Sequence, residues 1–117
     1  MIKLAYGTET KVDHTPGADV AAGEHVMFGS VLTITSVKLK ANKLGAVAWP
    51  SGTAVYALPN SGVAFTKGDQ VSFHETNKNA VANGAAGSKH FGIVVEDAGT
   101  TDTVYAIHQL NAAVTET

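Results

Sequence analysis

Val20–Phe28 reads VAAGEHVMF and Phe65–Phe73 reads FTKGDQVSF. One phrase, apolar-x-x-Gly-acid-x-Val-x-Phe, is thus written twice, with Gly23 and Gly68 separated by 45 positions. A glycine at a tight turn or bulge takes the left-handed backbone that other residues resist. The acids that follow, Glu24 and Asp69, suit a solvated turn. After each turn the chain alternates. Val26 and Phe28 share one face, as do Val71 and Phe73, while His25, Met27, Gln70, Ser72 and His74 point the other way. Each copy therefore reads as a turn feeding a half-buried strand, with the phenylalanines as core. The period reaches back to Gly17 and Gly62 and then fails, since Leu32 aligns with Asn77 and Ile34 with Asn79. Internal duplication and independent use of one turn-and-strand phrase both fit.

The same alternation runs outward from the two copies. Val31–Val37, VLTITSV, is dominated by β-branched residues at period two and predicts a strand. Lys43–Ala48 and Gly52–Leu58 are extended runs joined by Trp49-Pro50-Ser51-Gly52, and they predict a hairpin with Trp49 at its shoulder. His90–Glu96 and Thr103–His108 flank the polar turn Asp97–Asp102 and predict a closing hairpin. Thr76–Lys89, TNKNAVANGAAGSK, reads as loop. Helix signals are too short and too often broken by Gly or Thr to nucleate. The fold expected is all-β: a small barrel or sandwich of about nine short antiparallel strands and hairpins, with little or no helix and extended termini. An N-terminal arm over 1–14, a β-rich domain over 15–110 and a C-terminal tail over 111–117 complete the division.

Composition narrows the function classes. Charged residues are 15% of the 117-residue chain, against roughly 25% in ordinary soluble domains, so part of the surface is expected to be covered by a partner. A net charge of −2 offers no broad attraction to phosphate backbones, so nucleic acid is not an expected partner. No apolar run approaches the eighteen or so residues of a membrane span, and MIKLAYGTETKVDH lacks the apolar core of a secretion signal. There is no cysteine, so thiolate metal sites and disulfides are absent.

A catalytic constellation does not assemble from the motifs. His14, His25, His74, His90 and His108 show no H-x-x-x-H spacing, so no metal site is assigned. Glu96 and Asp97 are adjacent and would face opposite ways on a strand. Gly84-Ala-Ala-Gly-Ser-Lys89 imitates a phosphate loop, but two residues separate its glycines instead of four and a strand pattern follows it. No catalytic residue, no cofactor and no enzymatic activity are expected. Trp49, beside a proline at a hairpin shoulder, is the aromatic most apt to anchor an interface.

Taken together, Ala21–Phe28, Leu44–Ala48 (LGAVA), Val55–Pro59 (VYALP), Phe65–Val71 and Phe91–Glu96 (FGIVVE) resemble the DUF2190 family of tailed-phage proteins, over about Asp13 to Leu110. The chain departs from the family at Phe73, where an aromatic or Trp is common, and at Ala54-Val55-Tyr56, where Gly-Val-Phe is usual; both changes keep the apolar character. The resemblance implies a non-catalytic capsid decoration, or cement, protein. Such a protein would be made in the host cytoplasm and bind the outer surface of the expanded head. Its implied partners are the major capsid protein and itself, as a homotrimer. Ile2, Leu4, Tyr6, Val12 and Trp49 are the candidate capsid or subunit contacts. A ligand- or glycan-binding β-barrel using Trp49, or a minor head or tail structural protein, is the alternative.

Overall fold

The computed structural model describes residues 2–109, so the expected tail over 111–117 lies outside the described residues. Among the described residues there is no helix. Ten strands follow one another: β1 (Lys3–Gly7), β2 (Thr10–His14), β3 (His25–Phe28), β4 (Val31–Ile34), β5 (Gly45–Trp49), β6 (Ser51–Leu58), β7 (Gln70–His74), β8 (Asn79–Ala82), β9 (Ser88–Val94) and β10 (Val104–Gln109). They form a six-stranded sheet in the order β1-β6-β10-β9-β7-β8 and a four-stranded sheet in the order β2-β5-β4-β3, with every strand pair antiparallel. The all-β architecture expected from alternation is the one observed.

Between the sheets lies one apolar core. Leu32, Ile34 and Ala48 come from the smaller sheet, and Tyr56, Leu58, Phe73, Phe91, Val94 and Val104 from the larger. Fully burying such side chains stabilises by about 1.5–3 kcal/mol each. The sheets are also joined by polar contacts. His108 Nε2 donates to the Leu32 carbonyl at 2.9 Å while its ring stacks on Phe91, with centroids 4.6 Å apart.

The repeated phrase forms the same local structure twice. In each copy the acid's N–H closes a turn three residues back, Glu24 to Ala21 and Asp69 to Thr66, with Gly23 at φ 84 and Gly68 at φ 96. In each, the glycine donates to a carbonyl on the answering strand and the acid accepts from that residue's N–H. Thr35 serves both bonds in the first copy and Val94 in the second. Four residues further on, Leu39 exchanges two bonds with Val20, and Ala98 does so with Phe65. Register agrees over the first two residues, with His25 opposite Ile34 and Gln70 opposite Ile93, until a bulge after Val71 shifts the second copy by one residue. The period fails in the sequence because β8 and its turns intervene before β9, which lengthens the offset from 45 residues to 59.

Three expectations are corrected. Lys43–Ala48 and Gly52–Leu58 do not make a hairpin: β5 and β6 belong to different sheets, and buried Pro50 and Gly52 (φ 79) carry the chain from one to the other. Thr76–Lys89 is not all loop. Asn79–Ala82 pairs with β7, held by a turn in which Lys78 adopts φ 57 and by Ala80, which is fully buried. Finally, Phe28 is not in the core. In the first copy Met27 packs inward, and Val26 and Phe28 face away. Both faces of β3 are apolar, so its own pattern cannot choose. The choice belongs to β4, whose Leu32 and Ile34 go inward and set Met27 and His25 opposite them.

Candidate interaction surfaces

With Val26 and Phe28 turned outward, the smaller sheet has a second apolar face. Val12 on β2, Val31 on β4, and Val47 and Trp49 on β5 share it, because Val12 pairs with Val47 and Phe28 with Val31. Leu39 covers the end near Gly45 and is itself buried. Beside it a half-buried aromatic row remains: His14 and Phe28 lie 5.0 Å apart, and Phe28 and Trp49 meet edge to face at 6.0 Å. An antiparallel sheet that packs its core on one side normally shows water a polar other side. Val12 and Trp49, two of the candidate contacts, are brought together here, and Phe28, which the alternation alone assigns to the core, joins them.

Of the remaining candidates, Leu4 and Tyr6 lie on β1, the edge of the larger sheet, and Ile2 immediately precedes it. Leu4 is 41% exposed and Tyr6 57%, whereas Ile2 is 3% exposed and belongs to the core, its N–H bonded to the Gly23 carbonyl at 2.9 Å. Beside it runs an open groove of about 330 Å³ lined by Lys3, Leu4, Ala22 and Ser36. The segment 3–14 lies against the body as two edge strands, β1 paired with β6 and β2 with β5. Thr53 links them by donating its hydroxyl to the Thr8 carbonyl at 2.6 Å. An unpaired edge with exposed apolar side chains is a template for strand addition.

Polar groups inside the fold form a strut. Tyr56 donates its hydroxyl to the Glu9 carboxylate, which also accepts from Ser36 at 2.9 Å and pairs with Lys11 at 3.3 Å. Burial raises the Glu9 pKa, but the hydrogen bonds from Tyr56 and Ser36 and the Lys11 ammonium outweigh it and hold the carboxyl below its ordinary value. Burial, then the same carboxylate, pushes the Tyr56 hydroxyl far above its ordinary range. Burial drives His108 down to about 4, against the opposing pull of the Leu32 carbonyl, so its ring is neutral at neutral pH. Burial also lowers His25, which faces Glu75 at 3.9 Å, and His90. These groups are spread along the core and the sheet faces. Among the described residues no three of His, Cys, Asp or Glu gather as metal ligands would.

What the arrangement offers, then, is surface: an apolar outer face with an aromatic row, and an open strand edge. A family model described as phage cement protein matches residues 7–109, which takes in nine of the ten strands whole. Neither the curated proteins nor the solved structures contain a match. The chain belongs to the phage cement protein family.

Proposed function

We propose that this protein decorates the outer surface of a phage head as a non-catalytic cement subunit, binding the major capsid protein through the outer face of the smaller sheet and the β1 edge, and associating with itself as a homotrimer. Family membership supports a capsid role. The observation that carries the choice of surface is the outward turn of Val26 and Phe28: one copy of a phrase that elsewhere buries its Val and Phe leaves them half-covered beside Trp49. Covering a half-exposed aromatic row removes apolar area from water, and aromatic residues at the centre of a contact contribute disproportionately to affinity. On the edge, Leu4 and Tyr6 supply side-chain contacts to a strand whose outer N–H and C=O groups are available for pairing.

The test is co-sedimentation with expanded heads. Phe28→Lys and Val31→Lys should fold as the wild type does, by circular dichroism, and lose head binding by at least about tenfold. Leu4→Lys with Tyr6→Lys should weaken it in a second, separable way. If all of these variants bind heads as tightly as the parent, the assignment of the surface is wrong. Truncation of 1–14 is a poor probe, since it removes Ile2 from the core and both edge strands.

A further inference from the structure

The two copies of the phrase end in equivalent turns of opposite charge. Thr35–Leu39 and Val94–Ala98 hold the same places in the two hydrogen-bond patterns, so Val37 and Lys38 correspond to Glu96 and Asp97. Around the first turn, the loop from Ser36 to Leu44 carries Lys38, Lys40 and Lys43, all exposed, with Asp19 as the acid bonded to it. Around the second, Asp69, Glu96, Asp97 and Asp102 are exposed, with Lys67 as the cation among them. Among the described residues, none of the three loop lysines takes part in an ion pair.

The basic loop also carries exposed apolar side chains. Of the four large hydrophobic side chains left exposed among the described residues, two sit on it, Val37 at 54% and Leu44 at 72%. It is rigidly held. Leu39 is buried and exchanges two backbone hydrogen bonds with Val20, Ala41 N–H donates to the Asp19 carboxylate at 2.8 Å, and Asn42, at φ 61, donates its N–H to the Pro16 carbonyl at 2.8 Å. The acidic turn is equally fixed. Ala98 is bonded to Phe65, Asp97 accepts from Lys67 N–H at 2.8 Å, and the Asn60 amide bridges the Gly99 and Asp102 carbonyls at 3.0 Å. Surfaces ordered in advance lose little entropy when they dock.

We infer that the β4–β5 loop of one copy docks on the β9–β10 turn of a second copy, its lysines against the acidic turn and Val37 and Leu44 against the neighbour's surface. The occupant is chosen by charge complementarity: the chain carries both the basic apolar loop and an acidic counterpart, on different sheets. A contact between two different patches is heterologous, so a docked pair still offers one free loop and one free turn, and in a homotrimer three such contacts close into a ring. This deepens the homotrimer within the cement reading above, and rests on it for the reason that copies meet.

Charge reversal tests the contact. Lys38→Glu with Lys40→Glu and Lys43→Glu reverses the loop. Glu96→Lys with Thr100→Lys and Thr101→Lys reverses the turn without touching the turn-bonding carboxylates of Asp97 and Asp102. By sedimentation velocity, each set alone should weaken self-association at least about tenfold, and the six substitutions combined in one chain should restore it. High salt should weaken the wild type. The inference is overturned if the wild type does not self-associate, alone or on heads, if either set associates as the wild type does, or if the combined chain fails to recover while its circular dichroism is native. Head binding is scored separately. Loop variants that keep the oligomer but lose heads make the loop a capsid contact and sink this inference alone, whereas a wild type that ignores heads sinks the decoration reading whatever the sedimentation shows.

Discussion

Copy one of the phrase, Val20–Phe28, and copy two, Phe65–Phe73, make the same turn, the same bonds to the answering strand and the same register at the start of the strand, before a bulge after Val71 shifts copy two, yet they present opposite faces to the core. In the second, Val71 and Phe73 are buried between the sheets, while in the first Met27 goes in and Val26 and Phe28 come out. Local hydrogen bonding is therefore separable from sidedness. A Gly-acid turn fixes where a strand starts and which residue it answers; which face it buries depends on the partner strand, and copy one has β4 to decide for it. The copy facing the core holds the fold, and the copy facing out offers a surface.

The sharpest way to break that contrast is to truncate the last residue of each phrase. Phe73→Ala opens a cavity at a side chain that is 1% exposed and packed near Phe91, and should destabilise by about 3–5 kcal/mol in urea unfolding. Phe28→Ala removes a half-buried ring whose neighbours are His14 and Trp49, and should cost the free protein about 1 kcal/mol or less. Equal losses would mean that the two copies are equally structural.

A second test loosens the joint between the sheets that carry the two copies. His108 is neutral in the folded protein, its pKa lowered to about 4 by burial, whereas in the unfolded chain it titrates near 6.5. Above about pH 6.5 both states are neutral and the stability is fully present. As pH falls below that value the unfolded chain takes up a proton that the folded one refuses, so stability falls until pH reaches about 4, by about 3 kcal/mol in all. Burial of His25 and His90 acts in the same direction. Urea midpoints taken between pH 7.5 and 4.5 should decline, and His108→Gln should flatten most of that slope. An unchanged slope in the variant would show that the joint titrates elsewhere.

Much of this was legible in the residues. Gly23 and Gly68 announced left-handed turns, VLTITSV announced a strand, and the polar run between His90–Glu96 and Thr103–His108 announced the closing hairpin, because turn chemistry and period two are local properties. What depended on distant pairing was hidden. Nothing near Trp49-Pro50 says that the chain changes sheets there, and TNKNAVANG holds too few apolar residues to betray β8, whose place is fixed by Ala80 and by pairing with β7. For the surface, Trp49 and Val12 could be picked out in the sequence. Phe28 could not, because on a strand apolar on both sides the outward face becomes visible only once Leu32 and Ile34 of β4 are known to point in.

The smallest effect separates the two acids. Asp69 accepts from the Thr66 N–H at 2.8 Å within its own turn, so Asp69→Ala removes a local cap and should cost about 1 kcal/mol. Glu24 reaches outward instead, pairing with Lys78 of the β7–β8 turn at 2.6 Å across a largely exposed contact. Glu24→Gln should cost no more than about 0.5 kcal/mol, an effect that salt erases. Because the two turns share a backbone pattern, an aspartate at position 24 stands where Asp69 stands relative to Thr66, within reach of the Ala21 N–H. Glu24→Asp should therefore exchange the tie to Lys78 for a cap, leaving the unfolding midpoint unchanged but insensitive to salt. A midpoint that drops as far in Glu24→Asp as in Glu24→Gln would show that the two turns, alike in their backbone bonds, differ in whether they can accept a cap.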